Sequence, residues 1–266
     1  GISISDLPLV RKYNQFLHLA SFIVGPYGFS MTWTDRFALF STLDIVALVL
    51  LFAVWAGIDW MIEHPRARHP SVSTLMAGFR REWMVQMVGR DPRIFDAQIV
   101  ASMRQGTSFF ASTCMIAIGG GLALIGNAER VAGLANELTL ETDPTFVWEV
   151  KLLLMLLFVT NSFLKFVWSH RLFGYCSVLI AAVPNDPKDP DAFPRASQAA
   201  EISITAARGF NKGLRSIYFG LASAAWLLGT IPLMVATVLT FLVLWRREFA
   251  SRSRSILLAN TTRTQT

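Results

Sequence analysis

The chain has 266 residues, of which 53% are hydrophobic and only 16% charged, with a formal net charge of +6. Soluble domains carry about 25% charged residues, so the composition points to a membrane protein. Two cysteines, Cys114 and Cys176, exclude a disulfide framework, and with no nucleic-acid-binding motif the basic excess fits loops facing anionic headgroups, with no nucleic-acid partner expected.

In chain order, Gly1 to Ser30 has neither a basic n-region nor an apolar h-region, so residues 1–36 read as an N-terminal extension and not as an ordinary signal peptide. A single membrane domain, 37–245, follows, then a C-terminal tail, 246–266. A spanning helix needs about 20 mostly apolar residues. The stretches near 38–60, 105–127, 148–168 and 216–245 meet that length and predict four transmembrane helices.

Between the first two spans, Ser71 or Ser73 can cap a helix with the stripe Met76, Phe79, Trp83 and Met87, and Gly89 is placed to end it. Asp91 and Pro92 restart the chain, and no breaker follows until Gly119, Gly120 and Gly121. The third helix runs from Phe146 to Val183, and the fourth from near Pro194 to Trp245, weakened at Gly209 and Gly213, with a candidate kink at Pro232. Helices of this length exceed a hydrocarbon core of about 30 Å. The expected fold is all-α, an integral membrane four-helix bundle with helices extended into the cytoplasm.

Arginines set the orientation. The connection from Met61 to Arg104 carries Arg66, Arg68, Arg80, Arg81, Arg90 and Arg93, whereas that from Glu129 to Val147 is acidic, with Glu137, Glu141 and Asp143. The positive-inside rule makes the first cytoplasmic and puts both termini outside, and the expected address is a bacterial inner (cytoplasmic) membrane. The basic tail, with Arg246, Arg247, Arg252, Arg254 and Arg263, opposes that placement.

Charges bracket two spans. Asp44 and Asp59 on the first fall at the depths of Lys151 and Lys165 on the third, so two interhelical ion pairs are geometrically open. Snorkelling to water and an ion pathway are the alternatives. Asn161, alone and polar in the third span, reads as an interhelical hydrogen-bond donor. Lys165, Trp168, Arg171 and Tyr175 form one stripe at the membrane boundary, fit either to anchor the helix in the headgroups or to face Asp59, Asp96 and Asn211. Phe158, Phe163, Trp226 and Trp245 are expected on outer faces. His64 and His170 lie at one depth, as axial haem ligands would, but interfacial positions explain both, and no cofactor, metal or catalytic constellation is expected.

Several spaced motifs carry a resemblance: Arg80, Trp83, Met84, Met87, Arg90, Arg93, Ile94 and Asp96; Phe109 to Thr113; Lys165, Phe166, Trp168, Arg171 and Tyr175; and Phe210, Asn211, Gly213, Leu214, Arg215 and Tyr218. On these the chain, from about Thr34 to Trp245, resembles a family of four-span membrane proteins of bacteria and plants catalogued as a domain of unknown function, number five-nine-nine. The resemblance implies a fold and a membrane address, with no reaction attached. The functional expectation is a non-enzymatic structural or accessory subunit in the lipid bilayer, a homo-oligomer or part of a larger membrane complex. The alternative is a small-solute or ion transporter using the intramembrane charges.

Overall fold

A computed structural model describes residues 39–65, 69–130, 133 and 144–261. The extension 1–36, Arg66, Arg68, Arg263 and the acidic residues Glu137, Glu141 and Asp143 lie outside the described residues. The elements are helices: α1 (Thr42–Glu63), α2 (Val72–Val88), α3 (Ile94–Ile125), α4 (Thr145–Ala181), α5 (Ala192–Ala224), α6 (Thr230–Phe249) and α7 (Arg252–Thr261), with a 3-10 turn at Ala225–Leu228 between α5 and α6. Four of the helices, α1, α3, α4 and the α6–α7 stretch, are long and apolar enough to cross a membrane.

Local chemistry explains the helix starts. Ser41 and Asp44 form a reciprocal capping box on α1, each accepting from the other's backbone N–H at 3.0–3.1 Å. Ser71 caps α2 by accepting from Thr74 N at 3.2 Å, and Gly89 terminates it. Ser73, the other candidate cap, instead donates from N and Oγ to Glu248 on α6, both at 3.1 Å.

The framework is the antiparallel pair α4 and α5. Cys176 Sγ donates to Ala199 O at 3.6 Å, Ser169 Oγ to Ala206 O at 2.7 Å, and Asn161 Nδ2 to Ser216 Oγ at 2.6 Å. Further along, a Cβ on Gly220 would stand 3.3 Å from Phe158. Small residues on α5 permit this approach over its whole length. At the end of the molecule that carries α2, the pair closes a core of Met84, Met87, Val100, Phe173, Ile180 and Ala199. Burial stabilises that core by about 1.5–3 kcal/mol for each large side chain where it meets water. Toward the opposite end, the rings of Phe110, Phe166 and Phe210 cluster with centroids 5.4–5.6 Å apart, and farther on Phe158 lies between Phe52 and Phe219. Such contacts replace the hydrophobic effect in lipid.

The stretch 216–245, expected as one span, is two helices. Gly229 has φ 123°, a left-handed conformation that favours glycine, and the chain reverses there. Trp226 and Thr230, on either side of the reversal, both donate to Asp44 at the start of α1, while Glu248 near the end of α6 reaches α2. α6 therefore runs parallel to α1. Since α5 accompanies α4 past Asn161 to this reversal, its C-terminal half traverses whatever layer α1, α4 and α6 traverse. At 33 residues α5 is about 50 Å long at about 1.5 Å per residue, enough for a traverse and a projecting half. Arg254 Nε donates to Pro70 O at 2.9 Å, so α7 lies at the same end as the arginine-rich connection. Phe158 and Trp226, expected on outer faces, are buried at 0% and 1% exposure, because α5 and the reversal cover them; Trp245 is exposed.

Candidate functional site

The charged residues collect in two layers, one near each end of α1. At the far end Asp44 accepts from Trp226 Nε1 at 2.9 Å and from Thr230 Oγ1. Lys151 is buried, with Nζ 4.6 Å from the Trp148 ring centroid and 6.0 Å from that of Trp226. The indole of Trp226 thus serves both charges, its N–H facing the carboxylate and its π-face the ammonium.

At the basic end the expected partner of Asp59 was Lys165, and the structure supplies Arg215 instead. Its guanidinium, 4% exposed, donates Nε to Asp59 and Nη2 to Glu63 at 3.2 Å, the two carboxylates lying one turn apart on α1. Arg208, one face along α5, stands 3.6 Å from Glu63. The reason is the extra helix: α5 brings Arg215 against α1, and among the described residues no carboxylate lies within 4.0 Å of Lys165.

The boundary stripe of α4 turns outward. Trp168 is 53% exposed, and Arg171 Nε donates to Tyr175 Oη at 2.5 Å while lying over its ring at 5.6 Å. These are headgroup-anchor positions; Asp59 is held by Arg215 and Asp96 by residues of the α2–α3 region. Asp96, fully buried, accepts from Trp83 Nε1 at 2.6 Å and Arg90 Nη1 at 2.5 Å. Arg93 ties the α2–α3 turn to the end of α4, donating to Val183 O at 2.6 Å and Pro184 O at 2.7 Å. His64 stacks on Trp60 at 5.8 Å, whereas His170 faces α3, with Nδ1 3.2 Å from Arg104 O. Among the described residues no group of three or more His, Cys, Asp or Glu is placed to hold a metal.

Sequence reasoning missed a cavity of about 490 Å³ at the basic end, between α2, α3, α4, α5 and α6. Its lining combines Arg80, Arg208, Arg247 and Glu248 with Met76, Phe173 and Phe210. Its volume lies within the range of small-molecule sites. Arg80 and Phe210 belong to motifs quoted above, but the sequence gives no sign that they meet.

No curated protein and no solved structure matches the chain. A family described as "Protein of unknown function, DUF599" matches residues 46–253, from within α1 into the start of α7. The match takes in the Asp59, Glu63 and Arg215 layer, the reversal at Gly229 and the cavity, so this chain belongs to the DUF599 family.

Proposed function

We propose that this protein is a non-enzymatic integral membrane subunit that acts through helix contacts, self-associating or held in a larger membrane complex. The observation that carries this reading is the use made of the intramembrane charges. Arg215 is consumed by Asp59 and Glu63, Asp44 by Trp226 and Thr230, and the stacked rings of Phe52, Phe158 and Phe219 fill the level between. Charges so paired hold helices in register.

α3 offers the contact surface. It packs chiefly on α4, through Gly121 against Leu156, and leaves Phe109, Met115 and Ile116 exposed at 61–76% on its other faces. Gly119 and Gly120 meet no atom within 4 Å, which lets another backbone approach. A photoreactive residue at Ile116, activated in native membranes, is expected to give adducts of twice the 29.6 kDa chain mass or with one co-purifying membrane protein. Adducts with lipid alone, at Ile116 and equally at Leu221 and Leu239, would overturn the reading.

The same proposal puts the basic end in the cytoplasm of a cytoplasmic membrane, by the positive-inside rule. With α7 at that end, the tail arginines support the orientation they opposed in a four-span layout. Cysteine introduced at Ser253 should resist an impermeant thiol reagent in intact cells and react after lysis; reaction before lysis contradicts the orientation.

A further inference from the structure

We propose that the cavity at the basic end binds a phosphate-bearing anion, with the half-buried Arg80 as its anchor and Arg208 and Arg247 as further cations in its lining. The inference starts from Arg80. Its Nη1 donates to Ser203 Oγ at 2.9 Å and touches Met103 Sδ at 3.4 Å, and among the described residues no carboxylate lies within 4.0 Å of it. Burial holds this guanidinium below its ordinary value. It nevertheless stays charged at neutral pH, since arginine is effectively always protonated. Even half-buried, a cation without a counter-ion loses hydration, and a bound anion offsets that loss.

The neighbours strengthen the field. Arg247 donates to the Tyr218 hydroxyl at 3.2 Å and has no carboxylate within 4.0 Å among the described residues. Arg208 stands 3.6 Å from Glu63, and Glu63 is already held by Arg215. Glu248 is the opposing carboxylate in the lining, and it accepts twice from Ser73 in the first turn of α2. There the helix dipole favours its charge.

Guanidinium forks suit phosphate oxygens, and a tetrahedral anion accepts from several directions at once. The apolar lining residues, Met76, Phe173 and Phe210, fit a ligand with an apolar stem. Two sources supply that chemistry: the headgroup of an anionic lipid, at the membrane boundary where the cavity lies, or a soluble phosphate ester.

Calorimetry on the full chain in phospholipid-free maltoside detergent separates them, using short-chain phosphatidic acid, short-chain phosphatidylcholine and glycerol 3-phosphate. Saturable binding of phosphatidic acid alone assigns the site to lipid, and binding of glycerol 3-phosphate as well assigns it to phosphate esters generally. In either case Arg80→Gln and Arg247→Gln should each weaken binding about tenfold or more, the scale of a lost charge-assisted hydrogen bond. Arg81→Gln, whose side chain pairs with Glu201 instead, should leave binding unchanged. Should Arg80→Gln fail to fold, Arg247→Gln decides, because Arg247 is exposed. No saturable binding of phosphatidic acid or glycerol 3-phosphate, equal binding of phosphatidylcholine, or unchanged binding in a folded Arg80→Gln or in Arg247→Gln overturns the proposal.

Discussion

Replacing Arg215 by methionine tests the charged layer most sharply. In the native protein one nearly inaccessible guanidinium answers two carboxylates, Asp59 and Glu63, whose side chains are 26% and 15% exposed. Methionine fills similar volume but leaves two like charges one helical turn apart. Breaking a buried ion pair by removing one partner costs about 3–5 kcal/mol. The partial exposure of both carboxylates and the neighbouring Arg208 bring the expectation to the lower end, about 3 kcal/mol. That is a large share of a typical stability of about 5–15 kcal/mol. Reversible unfolding in mixed micelles, titrated with a denaturing detergent, reads the difference. Adding Asp59→Asn and Glu63→Gln to Arg215→Met removes the orphaned charges and should recover about 2 kcal/mol of the loss. A single variant within about 0.5 kcal/mol of native, the range of an inconsequential surface change, or a triple variant less stable than the single, would refute the reasoning.

The glycines give a second, graded test. A Cβ on Gly213 would stand 2.7 Å from the buried Phe166 ring, itself stacked between Phe110 and Phe210, so Gly213→Ala should destabilise by about 1–3 kcal/mol. At Gly209 the nearest atom is 3.7 Å away, and thermal unfolding of Gly209→Ala should show no loss or a gain of up to about 1 kcal/mol. Gly229→Ala forces a side chain onto φ 123° and is expected to cost about 1–3 kcal/mol in the same assay. The Arg81 hydrogen bond holds the Glu201 carboxyl below its ordinary value. Its stabilisation is therefore present above the ordinary carboxylate range and lost as pH falls through the lowered folded value. Because both side chains are more than half exposed, the effect should stay under about 1 kcal/mol, and Glu201→Gln should flatten the acid limb of Tm against pH by that amount.

The capped start of α2, the restart after Pro92 and the long α4 were legible in the sequence, because each rests on local chemistry or an unbroken apolar run. The traverse by α5 was not. Asn211, Lys212, Arg215 and Ser216 lower its hydropathy, yet Arg215 and Ser216 are satisfied by neighbouring helices, and composition does not record partners. Moving the reversal from beyond Trp245 to Gly229 also moves the depth argument. Arg215 precedes Thr230 by as many residues as Asp59 follows Asp44, so the true pair was recoverable once Gly229 was taken as a turn. The same step brings the tail to the end of the molecule that carries the arginine-rich connection. Asn161 was read correctly as an interhelical donor because a lone amide in an apolar helix has few other uses. The cavity was beyond reach, since its arginines come from three helices whose meeting depends on the whole packing.

Flux through the purified protein in sealed liposomes tests the central claim most directly. With Arg215, Asp59 and Glu63 paired and the aromatic layers intact, proton and small-ion permeability of vesicles containing the protein should equal that of empty vesicles, and Asp59→Asn should change nothing. Protein-dependent flux that is lost in Asp59→Asn would contradict the account and make the charged layer a transport path.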